Sequence, residues 1–470
     1  MASATRTRSA AAAPSSAAPD RPSAGGPSTV SPRLQARPGH FGSFRLQQLV
    51  LIELAAALLL VAWVVEPMLL VPAGLLAAVL VLLAVVRRHR RSLPEWLGTF
   101  LTLRARKRRA ASFAVPDSTE PGLAPVVECD PALRTYAYSD RDRRPVGMIG
   151  DGTFLTVVVR VESEATALRP DRSARPLPVG LVREVLEVDG IRLESAQIVQ
   201  HTQPAPAPHL PAQSMAARNY APLQAQTGSP AVRLTWVALK LDPELCPEAV
   251  AARGGGLDGA QKCVVRAADQ LASRLAGAGF RATVLTEQEL IAALATSTCA
   301  SPMAIAQAGR GQAQPRRSEE TARTWRVDDR RHTTYWVGRW PQLGGARGAG
   351  GTGSHGGPGG SRGPGGSGGP GGSGGPGGSR GPGASMPQLI ALLTSLPALA
   401  TTFSLTLSGG DRQEVAVTGH VRITGRSDEE LVAARHELER AARGVKTGLV
   451  RLDREQVPGM LASLPLGGAR

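Results

Sequence analysis

Two apolar runs set back to back near the N-terminus constrain this chain more than any other feature. Leu46 to Val65 (LQQLVLIELAAALLLVAWVV) and Met68 to Val86 (MLLVPAGLLAAVLVLLAVV) are separated only by Glu66-Pro67. An α-helix rises about 1.5 Å per residue, so roughly 20 apolar residues match the ~30 Å hydrocarbon layer of a bilayer. So short a connection allows a transmembrane helical hairpin and nothing larger. Pro72 falls early in the second run, where it bends the first turn rather than breaking the helix. Glu53 lies about 10 Å into the first run. A carboxylate there is expected to snorkel or neutralise, or else to meet a polar group of another membrane subunit.

The flanking charges set the orientation. Arg33, Arg37 and Arg45 precede the hairpin, Arg87, Arg88, Arg90 and Arg91 follow it, and the turn holds only Glu66. The positive-inside rule then puts both ends in the cytoplasm, with Trp63 and Trp96 at the outer and inner interfaces. The expected location is the cell membrane, multi-pass, with both termini cytoplasmic. Residues 1–44 are rich in Pro, Ser and Ala and read as a disordered tail. The apolar stretch begins too far from the start for a signal peptide.

After the hairpin (45–88), residues 89–112 read as a basic interfacial helix. Ser92-Leu-Pro-Glu-Trp96 opens it, with proline suited to a first turn. Trp96, Phe100 and Leu103 share one side, and Arg104, Arg106, Lys107, Arg108 and Arg109 follow. This pattern fits the anionic lipid of the cytoplasmic leaflet, or packing on the protein's own soluble part. Residues 1–110 carry 15 basic and 4 acidic side chains, so they hold eleven of the sixteen net positive charges. The rest is nearly balanced. A nucleic-acid binder would put its basic stripe on the folded domain, with aromatics interleaved, so no nucleic-acid partner is expected.

From about 113 the pattern becomes globular. Tyr136–Tyr138, Val146–Gly150, Thr153–Glu162, Arg192–Gln200, Val232–Leu241 and Phe280–Leu285 read as strands. Pro178–Val188 and Leu257–Ala278 read as helices, and Thr286-x-x-Glu289 is a capping box. Thr321–Val327 and Thr333–Trp340 form a hairpin turning at Asp328-Asp329. Residues 344–384, more than half of them glycine, cannot bury a core and read as a disordered insertion. Pattern resumes with a helix from Pro387, strands at Thr402–Leu407 and Glu414–Thr424, a helix capped by Ser427, a strand at Gly448–Leu452 and a last short helix. The expected fold is a mixed α+β (α/β) cytoplasmic domain in two parts, 113–343 and 385–470, anchored by the hairpin.

Catalytic signatures are scarce. None of the four lysines, Lys107, Lys240, Lys262 and Lys446, follows a glycine, so the P-loop G-K-[ST] step cannot occur. The strings GTGSHG (351–356) and GGSGG (371–375) match nucleotide-binding and hydrolase motifs, but they lie in the glycine tract, without the strand and helix that give those motifs geometry. The histidines lack H-x-x-x-H spacing, and Cys129, Cys246, Cys263 and Cys299 are far apart, so no metal centre or cofactor is expected and the thiols read as reduced. Asp140-Arg-Asp142 has the D-x-D spacing with which some glycosyltransferases hold a metal and a nucleotide diphosphate. It also has the composition of a solvated turn. A membrane-anchored transferase is therefore the alternative function.

Taken together, the hairpin, RRHRRSLPEWL (87–97), GDGTFLTVVVRVE (150–162), RTWRVDDRRHTTYWVGRWPQL (323–343) and LATTFSLTLS (399–408) resemble the EccE component of actinobacterial type VII (ESX) secretion systems. The resemblance runs from about residue 44 to 465, excepting the proline-rich loop near 203–212 and the glycine tract. It implies a non-enzymatic membrane subunit that contributes to translocon assembly, beside EccB, the ATPase EccC and the channel-forming EccD. It brings no catalytic residues to carry over. The membrane and partner contacts would then fall on Glu53, Trp63, Pro72, Trp96, Phe100 and the basic residues 104 and 106–109.

Overall fold

The computed structural model describes residues 33–34, 40–41, 44–163 except 67, 69, 86, 89 and 90, then 176–203, 232–310, 316–340, 398–409 and 415–468, with scattered positions between. The side chains of 33–52 and 82–96 fall outside that description. Residues 1–32, the proline-rich stretch 204–210 and the glycine-rich run lie outside the described residues.

The apolar runs form helices α1 (Leu46–Val65) and α2 (Leu70–Val85), which pack against each other. The second is shorter than its apolar run. At 16 residues it rises about 24 Å, less than a hydrocarbon layer. Among the described residues no helix is long and apolar enough to cross a membrane. Helix α3 (Leu93–Ser112) follows.

The remainder is a mixed α+β fold around one large, almost wholly antiparallel sheet. A meander of β1 (Arg134–Ser139), β2 (Pro145–Gly150) and β3 (Leu155–Ser163) leads into helix α4 (Val179–Glu184). The hairpin of β4 (Ser195–Gln203) and β5 (Val232–Leu241) follows, then helix α5 (Gly256–Gly277) and strand β6 (Phe280–Val284). Strand β6 returns to pair with β3, giving the order β6-β3-β5-β4. Numbered within the unit, that order is 4-1-3-2, a β-α-β-β-α-β split arrangement.

The same plan recurs. Strands β7 (Ser318–Glu320), β8 (Trp325–Val327) and β9 (Arg330–Arg339) form a second meander. Helical residues Ile390, Leu392 and Leu393 come next, then the hairpin of β10 (Ala400–Gly409) and β11 (Val415–Gly425). Helix α7 (Asp428–Gly444) and β12 (Gly448–Arg451) complete the unit, in the order β12-β9-β11-β10. In both units the outer edge of the first strand is shared. The meander strand pairs with its beginning and the closing strand with its end. The units meet through antiparallel pairing of β4 with β10, from Ser195↔Ser408 to Thr202↔Thr401. The glycine-rich run therefore falls inside the second unit, between its first strand and its first helix.

The sheet has two covered faces. Helices α4, α5 and α7 lie on one, over Val157, Val159, Val237, Leu239, Leu405 and Ile423. Helices α6 (Glu287–Ser297) and α8 (Gln456–Ser463), each directly after its unit's closing strand, cover the other with Trp236, Trp325 and Met460. Thr286 caps α6 with both bonds of a capping box. Ser427 accepts the Glu430 amide at the start of α7, but the Glu430 carboxylate turns to the Arg426 amide instead.

This second face is unusually polar. Its strands present Thr156, Ser195, Gln197 and Ser404, all buried. Such side chains read as solvent-facing in sequence, yet the C-terminal segment covers them and supplies their partners. Gln197 and Ser404 donate to the Ala462 carbonyl, Thr156 to that of Leu466 and Ser195 to that of Gly467. The Gly467 amide donates back to Gln197. Carbonyls leaving a helix end need donors, and here the sheet provides them.

Candidate functional site

Helix α3 joins the apolar hairpin to the domain, and its two sides differ. Leu103 is buried, and Arg106 is half-buried and reaches Glu320 on β7. Arg106 Nε donates to one carboxylate oxygen at 2.9 Å and Nη2 to the other at 3.0 Å. Nη2 also donates to the Arg454 carbonyl at 2.6 Å, and Glu320 accepts the Val457 amide at the start of α8 at 3.0 Å. Bidentate, largely dry guanidinium–carboxylate geometry is the strong form of an ion pair. One turn on, the Ala110 carbonyl accepts from Arg316, whose other nitrogens donate to the carbonyls of Ser318 and Glu128. The Glu128 carboxylate in turn accepts the amides of Arg317 and Ser318, and Arg317 forms a bidentate pair with Asp328. The run Arg316-Arg-Ser-Glu-Glu320 thus clamps α3 to the sheet edge.

Of the contact residues expected from sequence, Phe100, Arg104, Lys107, Arg108 and Arg109 are exposed on α3, and Glu53, Trp63 and Pro72 are exposed on the hairpin. Arg106 differs from its neighbours because it points inward and is paired. The Trp96 side chain lies outside the described residues. Sequence reading missed Glu320, Arg316 and Glu128, for in sequence they are ordinary charged residues far from α3. The one available signal was a basic pair followed by an acidic pair in a short strand.

The described part of the hairpin is inverted relative to a water-soluble one. Its fully buried side chains are the small Ala55, Ala62 and Ala77, while Leu54, Leu60, Val61, Val64, Leu75 and Leu76 face outward. Small residues thus lie between the two helices and large apolar ones on their outer sides.

A second grouping is a buried polar centre on the α6/α8 face. Thr334, Arg422, Thr402 and His201 follow one another across β9, β11, β10 and β4, with His332 opposite Thr424 one step along. Arg422 is fully buried, and no carboxylate pairs with it among the described residues. Its Nη2 donates to the carbonyl and hydroxyl of Ser297 and to Thr402. Ser297 is the last residue of α6, so the negative end of that helix compensates the guanidinium. Burial still lowers the Arg422 pKa to about 10. It lowers His201 to about 3, with the Arg422 charge adding to the effect, and holds His332 well below its usual value for the same reasons. His201 is therefore a neutral ring between Thr402 at 2.8 Å and Gln203 at 3.0 Å, and His332 one bonded to Thr424 at 2.9 Å. Neither ring reaches solvent.

The Asp140/Asp142 pair lies in the exposed hairpin turn between β1 and β2. Asp140 accepts the Arg141 amide and faces Arg144, whose other contact is Asp269. Arg143 takes a left-handed conformation, φ 56°, to close the turn. This is the geometry of a solvated loop, and no group of three metal-ligating side chains occurs among the described residues. A cleft of about 480 Å³ lies between Tyr136, Phe154, Pro243, Val250 and Leu257. Its lining is mostly apolar, with Glu244 as the carboxylate and neither aspartate of the pair. The four cysteines are free, Cys129 half-buried and the others buried.

Residues 229–337, from the third strand of the first unit through most of the first strand of the second, match the EccE family, described as "Putative type VII ESX secretion system translocon, EccE". No curated protein matches the chain.

Proposed function

We infer that this chain, an EccE-type component of a type VII (ESX) secretion system, is a membrane-held structural subunit that contributes to translocon assembly without catalysis of its own. The match over residues 229–337 carries the reading, because it spans β5, α5, β6, α6 and the meander that clamps α3. The inverted packing of α1 and α2 supports a hairpin embedded in the cell membrane, and the arginines flanking it favour both ends and the α+β domain on the cytoplasmic side. The partners are the other membrane subunits of the system, EccB, the ATPase EccC and EccD. Transport energy would come from the ATPase, since the chain lacks a phosphate-cradling lysine motif.

The test is affinity purification of the tagged full-length protein from membranes in mild detergent, followed by mass spectrometry. Recovery of the ATPase with the other type VII membrane subunits is expected. Recovery of the protein alone, from cells producing those subunits, would overturn the assembly role.

A further inference from the structure

The two units of the sheet differ in how the second hairpin strand enters its helix. In the second unit β11 passes into α7 through Arg426 and Ser427 alone. Ser427 caps the helix, and Arg331 near the start of β9 reaches Asp428 at 3.0 Å, closing that end. In the first unit the matching connection, from β5 to α5, takes residues 242–255. It forms two short helical turns, Pro243–Leu245 and Pro247–Ala251, and enters α5 through Gly254, Gly255 and Gly256 at φ 115°, 69° and 55°. Asp258, in the first turn of α5, pairs with Lys262 of its own helix. The cleft of about 480 Å³ lies between this excursion, Tyr136 of β1 and the turn from β2 to β3. Its apolar surface continues at the mouth, where Leu245 and Leu257 are 44% and 52% exposed. Glu244 lines the cleft and Glu248 follows Pro247, another lining residue. Both carboxylates are exposed, and neither has an ion-pair partner among the described residues. The cations of the excursion side are engaged elsewhere: Lys262 with Asp258 and the Arg253 carbonyl, and Arg253 with the Ala249 carbonyl. Arg134, two residues before Tyr136, is the exposed cation of the strand side.

We propose that this cleft docks a segment of another polypeptide, one that places an aliphatic or aromatic side chain between Tyr136, Val250 and Leu257 and a lysine or arginine against Glu244 and Glu248. Burial of the apolar side chain supplies affinity, and the two unpaired carboxylates select the charge beside it. Apolar surface that runs past the cleft to Leu245 is more than a compact solute covers and suits a chain lying across the mouth. Carboxylates at that mouth disfavour the anionic surface of a leaflet as the occupant. The cleft is also within reach of an incoming chain, because β1 is the outermost strand at its end of the sheet. Docking here is independent of whether the hairpin sits in a bilayer.

The experiment measures fluorescence anisotropy of short labelled peptides titrated with the full-length protein in an uncharged maltoside detergent. The probe has a central leucine with arginines on both sides; its companions carry serine at the centre, or glutamates in place of the arginines. Burying one leucine is worth about tenfold or more in affinity. The arginine–leucine peptide should therefore bind at least tenfold more tightly than either companion. Ala251→Trp, whose side chain would occupy the cleft, should weaken it by a similar factor. Leu257→Ser, a change at an exposed position that spares the core, should weaken it several-fold. Glu244→Lys combined with Glu248→Lys should invert the preference between arginine and glutamate flanks. Absence of saturable binding up to millimolar protein would overturn the docking site, as would binding undiminished in both Ala251→Trp and Leu257→Ser. Equal affinity for the leucine and serine peptides would overturn the apolar contact. An unchanged flank preference in the double lysine variant would overturn the part given to the carboxylates.

Discussion

Lowering the pH from 7 to 5 should destabilise the domain by about 2 kcal/mol through His201, with His332 adding in the same direction. In an unfolded chain both rings titrate near the ordinary pKa of 6.5. In the folded chain burial, reinforced by the nearby Arg422, holds His201 at about 3 and His332 well below its usual value. The sign follows from proton uptake: between those values the unfolded state binds more protons, so stability is complete above pH 6.5 and falls as the pH drops through 6.5 toward about 3. From pH 7 to 5 an unfolded histidine gains about 1.4 × 1.36, or roughly 2 kcal/mol, of proton-binding free energy that the folded His201 cannot match. Carboxylates contribute little in this window because their unfolded values lie lower. His420, held at about 4 by burial, pushes the same way. The assay is urea denaturation of the full-length protein in detergent at pH 7 and pH 5, with His201→Gln for comparison. Gln can still face Thr402 and does not titrate, so about 2 kcal/mol of the pH dependence should disappear. Equal stability of the parent protein at the two pH values, or an unchanged slope in His201→Gln, would refute the neutral-ring reasoning.

Three other expectations are specific. Arg106→Ala leaves Glu320 largely buried with the Val457 amide as its remaining bond and should cost about 3 kcal/mol; the double variant with Glu320→Gln should cost less than the sum of the two singles, measured by denaturation in a mutant cycle. Gly147→Ala should destabilise by about 1–3 kcal/mol, because an added Cβ would clash with the Glu287 backbone where α6 starts, and the melting midpoint reports it. Replacing Asp140 and Asp142 together by Ala should leave secretion by the complemented strain unchanged, since both sit in a turn. Loss of secretion with normal protein levels would revive the transferase alternative.

Much of this architecture is local and was therefore legible. The β-branched run 155–161 (LTVVVRV) and the alternating 232–241 (VRLTWVALKL) specify strands, Thr286-x-x-Glu289 specifies a helix start, and the two apolar runs specify paired helices, because periodicity and capping act over a few residues. The reading faltered where a neighbour intervened. The helix expected over 178–188 stops at Glu184, and Asp189, at φ 51°, and Gly190 turn a small two-stranded corner back toward β4. Strand β7 was not anticipated, since Ser-Glu-Glu has no strand signature and gains its place by pairing with β8.

By itself, then, the sequence determined the element types, the hairpin-then-domain order, and the absence of a P-loop lysine motif. The tertiary structure decided what those elements do to one another. Two β-α-β-β-α-β units share one sheet because β4 pairs with β10, a contact no local pattern encodes. Polar strand faces are buried because a C-terminal segment more than 250 residues away in sequence from Ser195 and Gln197 brings carbonyls to them. Arg106 and Arg422 look like their solvated neighbours, yet one is a clamp and the other a buried cation at a helix end. A charge's role depends on its partners and on the dielectric around it, and both are set by where the folded chain returns.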